Sequence, residues 1–167
     1  MLPHLDAAYN LARWLTRNDH DAEDVLQDAM LRAYRFMDGL RGAPRPWLLA
    51  IVRNACFTWL EANHPAELAG ALDERAAKLE APETDGPEAA AARNLDRRIL
   101  NEAIAALPPQ FREVLVLREL EDLAYKDIAR IAGVPIGTVM SRLARARRLL
   151  AESLGVIASA SDAGVIR

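Results

Sequence analysis

The chain has 167 residues, with 21 basic and 24 acidic side chains, and is 51% hydrophobic but only 5% aromatic, a size that suits one ordinary domain or two small helical ones. Its single cysteine, Cys56, excludes an internal disulfide, and His4, His20 and His64 are scattered without the Cys/His spacing of a zinc site. The longest apolar run, residues 47–52, is far too short for a membrane span, and no basic segment followed by an apolar one opens the chain, so the expectation is a cytoplasmic protein with no membrane insertion.

Ala, Leu and Arg dominate, and the β-branched residues are scattered rather than alternating, which predicts an all-α fold. From residue 5 to about 60 the apolar positions recur at helical spacing, broken where Gly39, Gly42, Pro44 and Pro46 interrupt any helix. Asp21, with Asp24 three residues on, fits a capping box and predicts a helix that runs through Ala29, Ala33 and Phe36. The next helix is expected to begin near Trp47. Residues 63 to about 88 are rich in Ala, Glu, Asp and Pro and read as a linker, with a helical turn around 72–79. A second helical unit starts near Ala89 with Leu95, Ile99, Ala103, Ile104 and Leu107 on one face, and Pro108 and Pro109 end that helix. A helix with Phe111, Val114, Leu115 and residues 117–120 toward a core follows, then a short one from Tyr125 to Ala132 and a last one from about Gly137 to Ser153. The small, polar stretch 155–167 reads as a disordered tail. The expected domains are thus 1–62, a linker 63–95, a second domain 96–154 and the tail 155–167.

Charge is unevenly divided. Residues 1–62 hold seven basic and eight acidic side chains, 63–95 hold three and seven, 96–154 hold ten and eight, and 155–167 one of each. Within the third block Arg142, Arg145, Arg147 and Arg148 run without an acidic residue between them, the local footprint that a phosphate backbone attracts despite the net charge of −3.

Residues 127–139 read as a helix-turn-helix. Ala129 is small where two helices approach, Gly133 permits a positive φ, Pro135 suits the chain leaving the turn, and Ile128, Ala132, Val134 and Val139 form the inward set. In such a unit the second helix enters the DNA major groove, so Thr138, Ser141, Arg142 and Arg145 are candidate base or phosphate contacts, with Arg147 and Arg148 nearer the backbone. A helix hairpin with solvated arginines is the plain alternative. Asp24, Gln27 and Asp28 share one polar helix face opposite Val25, Leu26 and Ala29, a solvated surface as readily as a docking one. Trp47 and Trp59 sit among apolar neighbours and read as core anchors rather than base-stacking platforms. No catalytic constellation emerges: His20, Asp21, Glu23 and Asp24 sit at a helix start without a partner cluster, so neither an enzyme, a metal nor a cofactor is expected. An ordinary helix-turn-helix regulator and a structural helical adaptor remain competing readings.

The string Gly137-Thr138-Val139-Met140-Ser141-Arg142-Leu143-Ala144-Arg145-Ala146-Arg147, preceded by Leu107-Pro108 and by Leu117-Arg118-Glu119-Leu120, closely resembles region four of extracytoplasmic-function sigma factors. Residues 21–29, with Arg32-Ala33-Tyr34-Arg35, and residues 47–54 resemble their region two. The resemblance spans about residues 5 to 150. It implies a factor that binds core RNA polymerase and confers promoter specificity, without chemistry of its own. It assigns Asp24, Gln27, Asp28 and Arg32 to polymerase docking. Arg41, Arg45, Arg53 and Asn54, with the loop 41–46, correspond to the part that captures the minus-ten strand, where an amide can read an unpaired base edge. Thr138, Ser141, Arg142, Arg145, Arg147 and Arg148 correspond to the reader of the minus-thirty-five element. The acidic linker matches a segment that threads the polymerase channels, and an anti-sigma partner is implied. Three departures stand out: a late start before Leu5, Met140 where a basic residue is common, and a less basic helix end at 59–63.

Overall fold

The computed structural model describes residues 2–72 and 92–161, and every element among them is helical, which bears out the all-α expectation. A 3-10 turn at Leu2–His4 leads into α1 (Leu5–Thr16), which buries Ala8, Leu11, Ala12 and Leu15 on one side. Arg17 then adopts a left-handed conformation (φ 61°) and its N–H returns to the Arg13 carbonyl, ending the helix. α2 (Asp19–Arg35) starts earlier than Asp21: Asn18 is the cap, its side-chain oxygen accepting the Asp21 backbone N–H at 3.1 Å. Asp19 and Asp21 are left in the first turn, where carboxylates favour the positive end of the helix dipole. Phe36, expected inside the helix, lies just beyond it and is exposed.

α3 (Pro44–Asn63) begins at Pro44 rather than near Trp47, because both Pro44 and Pro46 fall in the first turn, where a missing N–H forfeits no intrahelical bond. α4 (Pro65–Leu72) is helical within the stretch read as linker, and its Glu67 ion-pairs with Arg17, the residue that ends α1. The helical turn expected at 72–79 lies, from 73 onward, outside the described residues. α5 (Ala92–Ala105) stops ahead of the two prolines, and Pro109 opens α6 (Pro109–Leu115). A π-helical turn, Val116–Leu120, continues α6; the wider turn keeps Leu117 buried but rotates Leu120, expected in the core, outward. α7 (Tyr125–Ala132) agrees with the sequence reading. α8 (Ile136–Ser161) passes through Gly155 to Ser161, one glycine inside a helix costing only about 1 kcal/mol relative to alanine; the remainder of the stretch expected as a disordered tail, 162–167, lies outside the described residues.

α1, α2 and α3 pack against one another as one unit, and α6 and α7 both pack on α8 in a second. The units adjoin directly. α3 lies along α7, and α1 and α4 reach α6, so that buried side chains from Ala7 to Leu149 form one continuous apolar core. Each fully buried leucine in it, such as Leu11, Leu48 or Leu117, contributes about 1.5–3 kcal/mol of burial.

Candidate nucleic-acid interface

α7 turns Ile128, Ile131 and Ala132 inward, and Gly133 closes it at φ 69°, ψ 35°, a conformation that an L side chain adopts only with strain. The Pro135 carbonyl accepts the N–H groups of Thr138 and Val139 at 3.0 and 3.1 Å and so starts α8. Val139, Leu143, Ala146 and Leu149 of α8 are buried. The helical period therefore turns Gly137, Met140, Ser141, Ala144 and Arg148 outward, in a stretch with no acidic side chain from Ile136 to Ala151. This is a helix-turn-helix with an outward, cationic second helix.

The six side chains expected on that helix share it in different states. Ser141 and Arg148 lie on the outward stripe, while Thr138, Arg142 and Arg145 are half-buried at its edge. The Ser141 hydroxyl donates to the Thr138 carbonyl at 3.0 Å. Arg147 is exposed but engaged: its Nε and Nη2 donate to Glu119 Oε1 at 3.1 and 2.6 Å, and this hydrogen bonding pushes the guanidinium above its ordinary value.

The loop before α3 takes a positive φ at Gly42 (85°), and a Cβ there would stand 3.7 Å from the Arg130 guanidinium of α7. Arg41 and Asn54 are exposed. Arg45 and Arg53 are not open to solvent in the same way: Arg45 Nη2 donates to Glu121 Oε2 at 2.9 Å and to the Glu121 carbonyl at 2.8 Å, and Arg53 Nε and Nη2 reach both Glu113 oxygens at 3.1–3.3 Å. The structure thus leaves Arg41 and Asn54 exposed, in the loop before α3 and midway along it, and ties Arg45 and Arg53 of α3 to the second unit. Trp47 and Trp59 pack against the core, as expected of anchors.

On α2, Asp24, Gln27, Asp28 and Arg32 form one exposed stripe. Asp28 pairs with Arg32 at 3.0 Å, and Asp24 lies 3.5 Å from His20. Beside Gln27 runs an apolar groove of about 730 Å³ lined by Leu26, Met30, Leu31, Tyr34 and Met37. Tyr34 is 76% exposed there, so the polar stripe borders a large unburied apolar surface that the sequence reading did not single out. The signal was present as Met30, Leu31 and Tyr34 off the buried face of the helix.

Also missed were Arg112, Glu113 and Glu121, all buried. Arg112 donates to the carbonyls of Ala105 (2.8 Å), Leu107 (3.0 Å) and, across the unit boundary, Leu15 (3.2 Å). Burial, with Arg17 nearby, pulls its guanidinium down to about 9, still a cation at neutral pH. Burial drives the Glu113 carboxyl up, against the pull of Arg53, Arg142 and Arg112. The signal for Arg112 and Glu113 was the width of the apolar span around them, Phe111 and then residues 114–117, too broad for a helix with one buried face. Among the described residues no group of His, Cys, Asp and Glu is placed to hold a metal ion, and no helix is long and apolar enough to cross a membrane.

Comparison with known proteins matches both units. The family model for sigma-70 region 2 covers residues 2–64, and that for sigma-70 region 4 covers residues 97–150. The ECF RNA polymerase sigma-E factor of Haemophilus influenzae is 35% identical over 147 residues, which is 84% of this chain and 77% of that protein. The sigma-E factor of Escherichia coli K12 is 35% identical over 137 residues, 78% of this chain and 72% of its own. Among solved structures, the sigma factor RpoE of Bartonella quintana, in complex with the anti-sigma factor NepR, superposes with a TM-score of 0.69 at 27% identity, covering 93% of this chain and 94% of that one. With a helix-turn-helix in one unit, an exposed polar stripe in the other, and relatives that match through both, the chain belongs to the extracytoplasmic-function sigma factors of the sigma-70 family.

Proposed function

We propose that this chain joins core RNA polymerase and directs it to promoters, with α2 as the docking face, α3 and its preceding loop as the minus-ten reader and α8 as the minus-thirty-five reader. The observation that carries this reading is the outward, acid-free cationic stripe of α8 on a helix-turn-helix, joined in one chain to the exposed Asp24, Gln27, Asp28 and Arg32 stripe. A duplex would be engaged through phosphate contacts from Arg147 and Arg148, with Thr138, Ser141, Arg142 and Arg145 toward the base edges. On α3 and the loop before it, Arg41, Arg45 and Arg53 would hold the backbone of an opened strand, and Asn54 would read a base turned out of the stack. The reading assigns the chain no catalytic step, a cytoplasmic location and an anti-sigma partner, the last supported by the anti-sigma factor in the Bartonella quintana complex. The test is run-off transcription with purified core polymerase over a pool of genomic promoters. Specific starts that require this chain support the reading; DNA binding that is indifferent to polymerase would instead mark an ordinary helix-turn-helix regulator.

A further inference from the structure

Two of the four side chains assigned to the minus-ten strand are already held. Arg53 meets Glu113, and Arg45 meets Glu121, whose other carboxylate oxygen accepts from Asn10 Nδ2 at 3.4 Å. Both arginines belong to α3, and both carboxylates come from the second unit. A carboxylate offers a guanidinium much the same charge and oxygen geometry as the two free oxygens of a phosphodiester. We propose that Glu113 and Glu121 are built-in stand-ins for promoter phosphates, so that in the free chain the packed second unit occupies Arg53 and Arg45, and parting the units releases both for the opened strand. This rests on the reading of α3 as the minus-ten element.

The contact is supported on every side. Glu113 has no exposed side-chain surface and Glu121 only 9%, so neither pair is a surface ion pair traded freely with solvent. Arg112 pins α6 to the end of α1 through the Leu15 carbonyl, which fixes Glu113 opposite Arg53. The π-helical turn brings the Glu121 N–H to the Val116 carbonyl at 3.1 Å and presents both the carboxylate and the main-chain carbonyl of residue 121 to Arg45. Arg41 and Asn54 stay exposed, so a strand could touch them weakly before the units part. The two held arginines would then distinguish a passing contact from a committed one.

The experiment uses the full chain with dyes at Asp38→Cys and Glu152→Cys in a Cys56→Ala background, and a mixed-sequence single-stranded oligonucleotide as probe. Glu121→Gln alone, and Glu113→Gln with Glu121→Gln, should lengthen the dye separation and tighten oligonucleotide binding by about tenfold for the pair, through the two recovered phosphate contacts. Adding Arg45→Ala and Arg53→Ala to the Gln pair should abolish that gain. Once bound to core polymerase, the Gln variants should initiate as the parent does. An unchanged dye separation, or a longer one without tighter binding, overturns the proposal. If the buried Glu113→Gln change prevents folding, Glu121→Gln decides the same question at the rim. Arg45→Ala and Arg53→Ala in the polymerase-bound protein serve as the separate check on α3: retained minus-ten selectivity there removes the underlying reading, whereas lost selectivity with no gain in the Gln variants removes the stand-in role alone.

Discussion

Arg53 on α3 and Glu113 on α6 stand 60 positions apart and meet through N–H···O contacts of 3.1–3.3 Å, while the Phe57 ring covers the guanidinium face with its centroid 3.8 Å away. The ring takes the apolar face and leaves the N–H edge to the carboxylate. Arg53→Met should therefore strand a buried carboxylate and destabilise the fold by about 3–5 kcal/mol at neutral pH, and adding Glu113→Leu should recover most of the loss. The sign with pH follows from burial, which raises the Glu113 carboxyl in the folded chain. A raised acid stabilises fully below its unfolded value and loses that contribution as pH rises through the folded one. Without Arg53 the carboxyl rises further, so urea unfolding should show the single variant close to the parent in acid and falling behind it toward neutrality.

Cys56 is fully buried, and burial pushes its thiol up to about 12. The folded chain should resist thiol reagents at pH values where an exposed cysteine reacts, and labelling should track global unfolding. Since the folded value lies above the unfolded one, the neutral thiol stabilises fully below the unfolded value of 9.0 and this is lost as pH climbs toward 12. The stability difference between parent and Cys56→Ala should shift against the parent by up to about 1.4 kcal/mol per pH unit in that window.

Asp24 and Asp28 are exposed, and their contacts with His20 and Arg32 are surface pairs worth about 0–1 kcal/mol. Asp24→Arg with Asp28→Arg should leave the circular dichroism melt nearly unchanged while abolishing co-purification with core polymerase, because like charges at a complementary patch can cost several kcal/mol. A folded, fully active double mutant would sink the docking role of this stripe.

On α8, replacing Arg142 or Arg145 with Ala should cost about 1–3 kcal/mol of promoter affinity where the side chain meets a guanine, and should relax preference at that base. Arg148→Ala should weaken all sequences alike and reduce the salt slope by about one unit. Arg147→Ala should do the same less strongly in the free chain, since its guanidinium already serves Glu119. Promoter-binding titrations at several salt concentrations separate the three outcomes.

Much of this fold was legible in the chain. The helical period placed α2 and the starts of α3 and α8 to within a few residues, α7 from Tyr125 to Ala132 came out to the residue, and Gly133 announced its turn by being the one residue type comfortable at a positive φ. Boundaries failed where a local interaction beat the pattern. Asn18 outcompeted Asp21 as a cap, and Pro44 and Pro46 opened a helix instead of delaying it. The candidate residues themselves were readable as exposed polar positions on amphipathic helices. Their engagement was not, because nothing local tells Arg53 or Arg45 that a carboxylate from another unit will meet it; such pairs exist only after long-range packing has buried α6 on all sides.

The π-helical turn at Val116–Leu120 has a consequence for how the two halves stay matched through sequence drift. A π turn holds about one residue more than an α turn, so, whereas losing one residue there would close it with the downstream register kept, tightening it to ordinary α-helix with every residue retained would swing position 121 by about 100° around the axis. The carboxylate would leave Arg45 while the helix-turn-helix beyond it kept its own packing. The spare residue held in this short stretch thus works as an index wheel, setting whether the halves engage without rewriting either one.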